Sequence, residues 1–275
     1  MPLVRLIDSH CHLQADRFDA DVELVIGAAR LAGVERILVP GWDLASSRDA
    51  LDLVDRYPWL DAAAGVHPHN AAPLDEPAWA EIVALAADAR IVAVGETGLD
   101  FDRVFSPIDD QLGNLRRHLA LAIELGKPAI LHVRSAAGRR DAQDALVTEL
   151  RAAGFGGSRV AAAFGDRPGA VIHSFSGPVD YARTVLDLGV AISVSGLAFR
   201  AGEESTAEVA AVVPLDRLLV ETDSPFLSPP GAPRRRNEPE WVHVTANWVA
   251  ARRGIESDQL GGALVSAYET AFRRR

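Results

Sequence analysis

One cysteine, Cys11, stands in a chain of 275 residues, so no disulfide can close within it. That excludes a secreted scaffold held by such bridges and makes a reducing compartment, the cytoplasm, the expected location. No uninterrupted apolar run approaches the roughly 20 residues that a membrane-spanning helix needs. The opening stretch meets Arg5, Asp8 and His10 too soon for a secretory signal. Positive charge is in deficit: 28 Lys and Arg against 38 Asp and Glu leave a formal net charge of −10. Such a balance argues against a protein that coats nucleic acid by charge alone. No Gly-x-Gly-x-x-Gly follows the first strand-like run, so a dinucleotide fold has no support. No linker, repeat or low-complexity tract divides the chain, and one domain over residues 1–275 is expected.

What is present is a repeated alternation. Short runs rich in Val, Ile and Leu occur at Leu3–Ser9, Arg36–Val39, Leu60–Val66, Ile91–Glu96, Pro128–Val133, Ala170–Ser174, Val190–Ser195 and Leu218–Thr222. Most lack a polar alternation, as befits strands of a parallel sheet covered on both faces. Between them lie helical spacings. Leu112, Leu115, Leu119 and Ile123 form one apolar stripe, and Trp241, Val244, Thr245, Trp248 and Val249 form another. Gly126, Lys127 and Pro128 stop one helix and open the next strand. Such an alternation in about 250 residues predicts an α/β fold, a (β/α)8 TIM barrel. The Gly- and Ala-rich stretch Gly154–Gly169 is expected to be a loop insertion on the face away from the chemistry.

A barrel's active site lies where its strands end, and here the polar residues collect. The chain has eight histidines, and six of them (His10, His12, His67, His69, His132 and His173) fall at expected strand ends. Glu96 and Asp223 add carboxylates at two more. His10 and His12 are two apart, so an extended chain turns both imidazoles to one face and Cys11 to the other. Cys11 is therefore expected to be a buried small apolar residue. Glu221 should also face inward, deeper in the barrel, where a buried charge requires a partner. His10, His12, His132, His173, Glu96 and Asp223 exceed what one tetrahedral site needs. They suit two divalent ions about 3.5–4 Å apart, with a carboxylate bridging them and another positioned to accept a proton. Nitrogen and oxygen donors without thiolate favour zinc or manganese, with magnesium as a loosely held working ion. His67 and His69 are not needed for that set and are expected to touch substrate.

Taken together, these segments resemble the TatD-type deoxyribonucleases within the amidohydrolase-like metallohydrolases. The resemblance rests on the stretches 8–13, 65–69, 95–100, 132–134, 173–177, 221–227 and 236–239, in family order. It implies a TIM barrel with one or two divalent ions. His10, His12 and Asp223 would hold one, His132 and His173 the other, and Glu96 would bridge them. Asp223 would also steer a water and take its proton. The implied activity is metal-dependent cleavage of DNA, single-stranded or at 3′ ends, in the 3′-5′ direction. His67, His69, Arg134, Arg236 and Asn237 would meet substrate phosphate, for which the fork of an arginine is well shaped. The sequence departs from the family in the loop after the last strand, where Arg234, Arg235 and Arg236 replace the usual His-Arg-Gly-Lys element.

Two other functions compete. One keeps barrel and metals but hydrolyses an amide or ester of a small molecule, or an aminoacyl ester on RNA, since the metals activate water in every case. The other is a non-catalytic binding protein, which should lack a ligand or the base; none is missing here. The negative charge is expected to lie on outer helices, at Asp19, Asp21, Glu23, Asp49, Asp52 and Asp55. The catalytic face would carry the ions together with Arg134, Arg139, Arg140 and Arg234 to Arg236. No obligate protein partner is expected.

Overall fold

The computed structural model describes residues 5–272; the expected strand start at Leu3 lies outside the described residues. The strands are β1 (Leu6–Asp8), β2 (Val34–Pro40), β3 (Leu60–Ala64), β4 (Ile91–Asp100), β5 (Ala129–Arg134), β6 (Ala170–Ile172), β7 (Val190–Val194) and β8 (Leu218–Val220). The helices are α1 (Val22–Leu31), α2 (Leu44–Arg56), α3 (Glu76–Ala87), α4 (Ile108–Leu125), α5 (Asp141–Ala153), α6 (Ser158–Phe164), α7 (Val179–Asp187), α8 (Ser205–Val212), α9 (Val242–Arg253) and α10 (Ser257–Ala271). The strands pair in chain order, every pair parallel. This is the expected (β/α)8 TIM barrel. No helix among the described residues is long and apolar enough to cross a membrane.

The circle closes just beyond β1 and β8. Ser9 N–H donates to Val220 O at 3.0 Å, Asp223 N–H to His10 O at 2.9 Å, and His12 N–H to Ser224 O at 2.7 Å. Across the same seam the Asp8 carboxylate accepts the Thr222 N–H at 3.0 Å and the Thr222 hydroxyl. Burial pushes the Asp8 carboxyl up, to about 8, against the pull of those donors.

Three strands, β3, β6 and β8, end two residues earlier than the apolar pattern predicts. At the barrel mouth, buried side chains take the backbone bonds that a neighbouring strand would otherwise hold. Val66 N–H donates to His118 Nε2 at 3.0 Å, Ser174 N–H to Glu221 Oε1 at 2.6 Å, and Thr222 N–H to Asp8. β4 does the opposite and runs past Glu96 to Asp100. Two further expectations are corrected. The stretch Gly154–Gly169 contains a helix, α6, and its buried Phe155, Val160 and Phe164 close around Gly169 ahead of β6. The buried face of α9 is Val242, Thr245, Ala246, Val249 and Ala250. Trp248 lies partly outside that face, under the Arg252 guanidinium at 3.6 Å.

α4 buries Leu115, Leu119 and Ile123 as expected, and beside them a polar stripe of Gln111, Asn114 and His118. These three hold the ends of β3 and β4. Asn114 Nδ2–H donates to Val66 O at 2.6 Å, and Asp100 N–H donates to Gln111 Oε1 at 2.8 Å. His118 accepts at Nε2, so its proton sits on Nδ1 and goes to Asn114 O at 2.8 Å. The ring is fully buried and must stay neutral, and burial holds its pKa down at about 4. The unfolded chain takes up a proton near pH 6.5, the folded one only near 4, so stability falls as pH falls between those values. From pH 7 to pH 5 this histidine should cost about 2 kcal/mol. His118→Gln should flatten the pH dependence of urea unfolding by that amount; parallel profiles for variant and parent would refute it.

Candidate active site

Glu96 reaches the barrel mouth through an irregularity in β4. Val94 pairs with Ala129 and Thr97 with Leu131, so one extra residue stands on the β4 side. A bulge of this kind re-aims a side chain. The Glu96 N–H leaves the β4–β5 ladder and donates to Gly41 O at 2.8 Å. Gly98, at φ +141°, continues the close approach: a Cβ there would lie 2.0 Å from His132 O.

The Glu96 carboxylate is 1% exposed and each of its oxygens faces a separate pair of imidazoles. Oε2 lies 3.2 Å from His10 Nε2 and 3.7 Å from His12 Nε2. Oε1 lies 2.9 Å from His173 Nε2 and 3.2 Å from His132 Nδ1. Within each pair the nitrogens converge: His10 Nε2 and His12 Nε2 are 3.2 Å apart, His132 Nδ1 and His173 Nε2 3.1 Å. Two imidazole nitrogens bound to one ion at about 2.0–2.1 Å each stand roughly 3.0–3.4 Å apart. Both pairs therefore fit the edge of a cation's coordination shell. Asp223 Oδ1 stands 3.5 Å from His12 Nε2 and 3.8 Å from His10 Nε2, on the side of the first pair. Burial opposes ionisation of Glu96, but the imidazoles of His173, His67 and His10 hold its carboxyl well below the usual range.

Carboxylates behind the histidines orient them. His173 Nδ1 lies 3.3 Å from Glu221 Oε1, which also accepts the Ser174 N–H and hydroxyl. Glu221 thus has the buried partner its position requires, and it leaves His173 Nε2 facing Glu96. Asp100 serves the other member of that pair, His132: its Oδ2 is 2.7 Å from His69 Nε2 and 3.5 Å from His132 Nε2. Its Oδ1 accepts the N–H groups of Asp102 and Arg103 at 3.0 and 2.9 Å. Burial would raise this carboxyl, but the imidazoles of His132 and His69 and these N–H donors hold it far below the usual range. The sequence reading assigns Asp100 no role of its own. A strand period of two from Glu96 puts it on the same face, which is the signal that finds it. The stripe Gln111, Asn114 and His118 is likewise absent from the expectations; three polar residues at helical spacing inside an apolar helix are its signature.

The expected substrate residues divide. His67, His69 and Arg134 line a basin of about 880 Å³ above Glu96. His67 Nε2 comes within 3.4 Å of Glu96 Oε1, and His67, Glu96 and His132 form a third group with metal-ligand spacing. Burial lowers the His67 pKa well below its ordinary value, which leaves the ring a neutral donor or acceptor. Arg134 pairs with Asp102, Nε to Oδ2 at 2.8 Å. Arg236 and Asn237 do not come to the basin, contrary to expectation. The Arg236 guanidinium is held by both Asp21 oxygens and by Glu238, over the ring of Phe18. Asn237 is fully buried and donates to Thr222 O at 3.0 Å, satisfying a carbonyl at the barrel seam. Asp21, expected on a solvated helix, is thus half of an ion pair. Cys11 is fully buried as expected, and burial pushes its thiol well up, away from nucleophilic use.

Comparison with known proteins agrees with this geometry. The model of the TatD related DNase family matches residues 7–273. YabD of Bacillus subtilis strain 168, an uncharacterized metal-dependent hydrolase, is 33% identical over 268 residues, covering 98% of this chain and 99% of that one. The 3′-5′ ssDNA/RNA exonuclease TatD of Klebsiella pneumoniae strain 342 is 36% identical over 275 residues, covering 97% of each chain. The crystal structure of YJJV, a TatD homolog from Escherichia coli K12, matches with a TM-score of 0.84 at 30% identity, covering 98% of both chains. With this barrel and this identity along nearly its whole length, the protein belongs to the TatD-related DNase family, among the amidohydrolase-like metal-dependent hydrolases.

Proposed function

We propose that this protein is a two-metal phosphodiesterase that shortens single-stranded nucleic acid from its 3′ end. The observation that carries the proposal is Glu96, with each carboxylate oxygen facing its own converging pair of imidazoles. His10, His12 and Asp223 would hold one ion, His132 and His173 the other, and Glu96 both. Bound there, the ions would polarise a phosphoryl oxygen and make water nucleophilic near neutral pH. The protein's own residues do the rest. Asp223 borders the basin and is the ligand carboxylate able to take a proton from an attacking water. His67 and His69 stand where a phosphate over Glu96 would meet them, and Arg134 reaches the same basin from β5. Imidazole-rich donors favour zinc or manganese, with magnesium the weaker candidate. Relatives named as 3′-5′ ssDNA/RNA exonucleases support the choice of polymer and direction.

Four outcomes are expected. A labelled single-stranded oligonucleotide should be shortened in the presence of zinc, manganese or magnesium, and chelation should stop it; no shortening with any of the three would end the proposal. Asp223→Asn should retain much of its metal by elemental analysis while turnover falls about 10²–10⁴-fold, the range for losing a general base. Glu96→Ala should instead lose occupancy at both sites, and an Asp223→Asn enzyme as fast as the parent would remove Asp223 from its role. Asp100→Asn should weaken metal binding about 10- to 100-fold, the usual cost of removing a carboxylate behind a ligand histidine. Titration with a metal indicator would read it, and an unchanged affinity would assign Asp100 to the loop alone.

A further inference from the structure

Large apolar side chains left exposed among the described residues are few: Leu24, Leu31, Val104, Phe105, Ile108, Val212 and Phe226. Only Phe105 and Phe226 of these are aromatic, and both stand beside histidines of the basin. Phe226 is 47% exposed, with its ring edge-on to His12 at 6.1 Å. Phe105 is 68% exposed and edge-on to His69 at 4.7 Å. His12 belongs to the first imidazole pair. His69 shares Asp100 with His132 of the second. The two rings therefore flank Glu96, one beyond each pair.

Cations accompany each ring. The Arg17 guanidinium lies 5.4 Å from the Phe226 ring centre and donates to Arg235 O. Arg103 belongs to the turn that carries Phe105, and it lines the basin together with Arg200. Among the described residues Arg17, Arg103, Arg200, Arg234 and Arg235 make no ion pair with a carboxylate. The other basic residues expected on this face are spent: Arg139 pairs with Asp141, and Arg140 with Asp144 and Asp180.

We propose that Phe226 and Phe105 are stacking platforms for unpaired nucleobases on either side of the scissile phosphate, with the free arginines beside them taking flanking phosphates. This rests on the nuclease activity proposed above and names how the substrate is gripped. A chain of net charge −10 lacks the long-range attraction of a basic binder. Stacking needs no net charge and accepts any base. It does require a base outside a duplex, so the platforms select single-stranded ends.

The test uses the full chain carrying Asp223→Asn, with manganese, and an oligothymidine whose terminal nucleotides are 2-aminopurine. Binding should quench the fluorescence through stacking. Phe226→Leu or Phe105→Leu should each abolish part of the quench and weaken binding about 5- to 150-fold, the range for one stacked base. Phe226→Trp and Phe105→Trp should restore both. In the enzyme with Asp223 intact, the Leu variants should raise KM and spare kcat. Leu variants that bind and quench like the parent would overturn the inference. A protein that quenches but shortens no oligonucleotide would keep the platforms and lose the nuclease activity, so the two failures are distinct.

Discussion

A carboxylate buried at the mouth of a barrel costs several kcal/mol in lost hydration unless cations or strong donors surround it. Glu96 meets that condition through imidazoles from four strand ends, those of β1, β3, β5 and β6. The arrangement makes sense as a divalent-cation centre, because each carboxylate oxygen faces a pair of imidazole nitrogens that converge to the spacing of two ligands on one ion. Much of the local structure exists to present this group. The bulge in β4 turns Glu96 inward, and the glycines around it let β3, β4 and β5 approach closely enough to bring His67 and His132 to the same oxygen.

The seam of the barrel and its active site are the same piece of chain. The bonds that close β1 on β8 are made by Ser9, His12 and Asp223 and by the carbonyl of His10. Asp8 and Asn237 tie the two sides of that seam through Thr222. Closing the cylinder and setting the first donor pair are one event. On the far side α4 performs the equivalent task, holding β3 and β4 with Gln111, Asn114 and His118. Metal affinity and barrel stability should therefore be coupled through these groups, since a ligand that binds only the folded state adds its free energy to folding.

Charge is partitioned in a way the total conceals. Several arginines expected on the catalytic face are neutralised by neighbouring carboxylates, Arg236 by Asp21 and Glu238, Arg134 by Asp102. Outside that expected set, Arg17 lies over the exposed ring of Phe226, and Arg103 stands two residues before the exposed Phe105. Recognition in so acidic a protein then depends on short-range contact at the basin more than on a long-range field, which solution ions screen within about 10 Å at moderate salt.

The order and type of elements were legible in the sequence, because parallel strands buried on both faces leave short runs of Val, Ile and Leu that need no tertiary knowledge to see. The side chains that gather at the barrel mouth were legible for a related reason: His10, His12, Glu96, His132, His173 and Asp223 all sit where such runs end. Less visible were the strand ends themselves, set by His118, Glu221 and Asp8 taking main-chain N–H groups of residues far away in the sequence. Arg236 and Asn237 stood in a family motif, yet the fold turned them to structural work, because an ion pair with Asp21 and a bond to Thr222 join residues far apart in the chain. The sequence by itself determined the barrel and which side chains gather at its mouth, since both follow from local periodicity. Only the tertiary structure decided which nitrogen faces which oxygen and which arginines stay free, because those depend on distances between strands that periodicity does not encode.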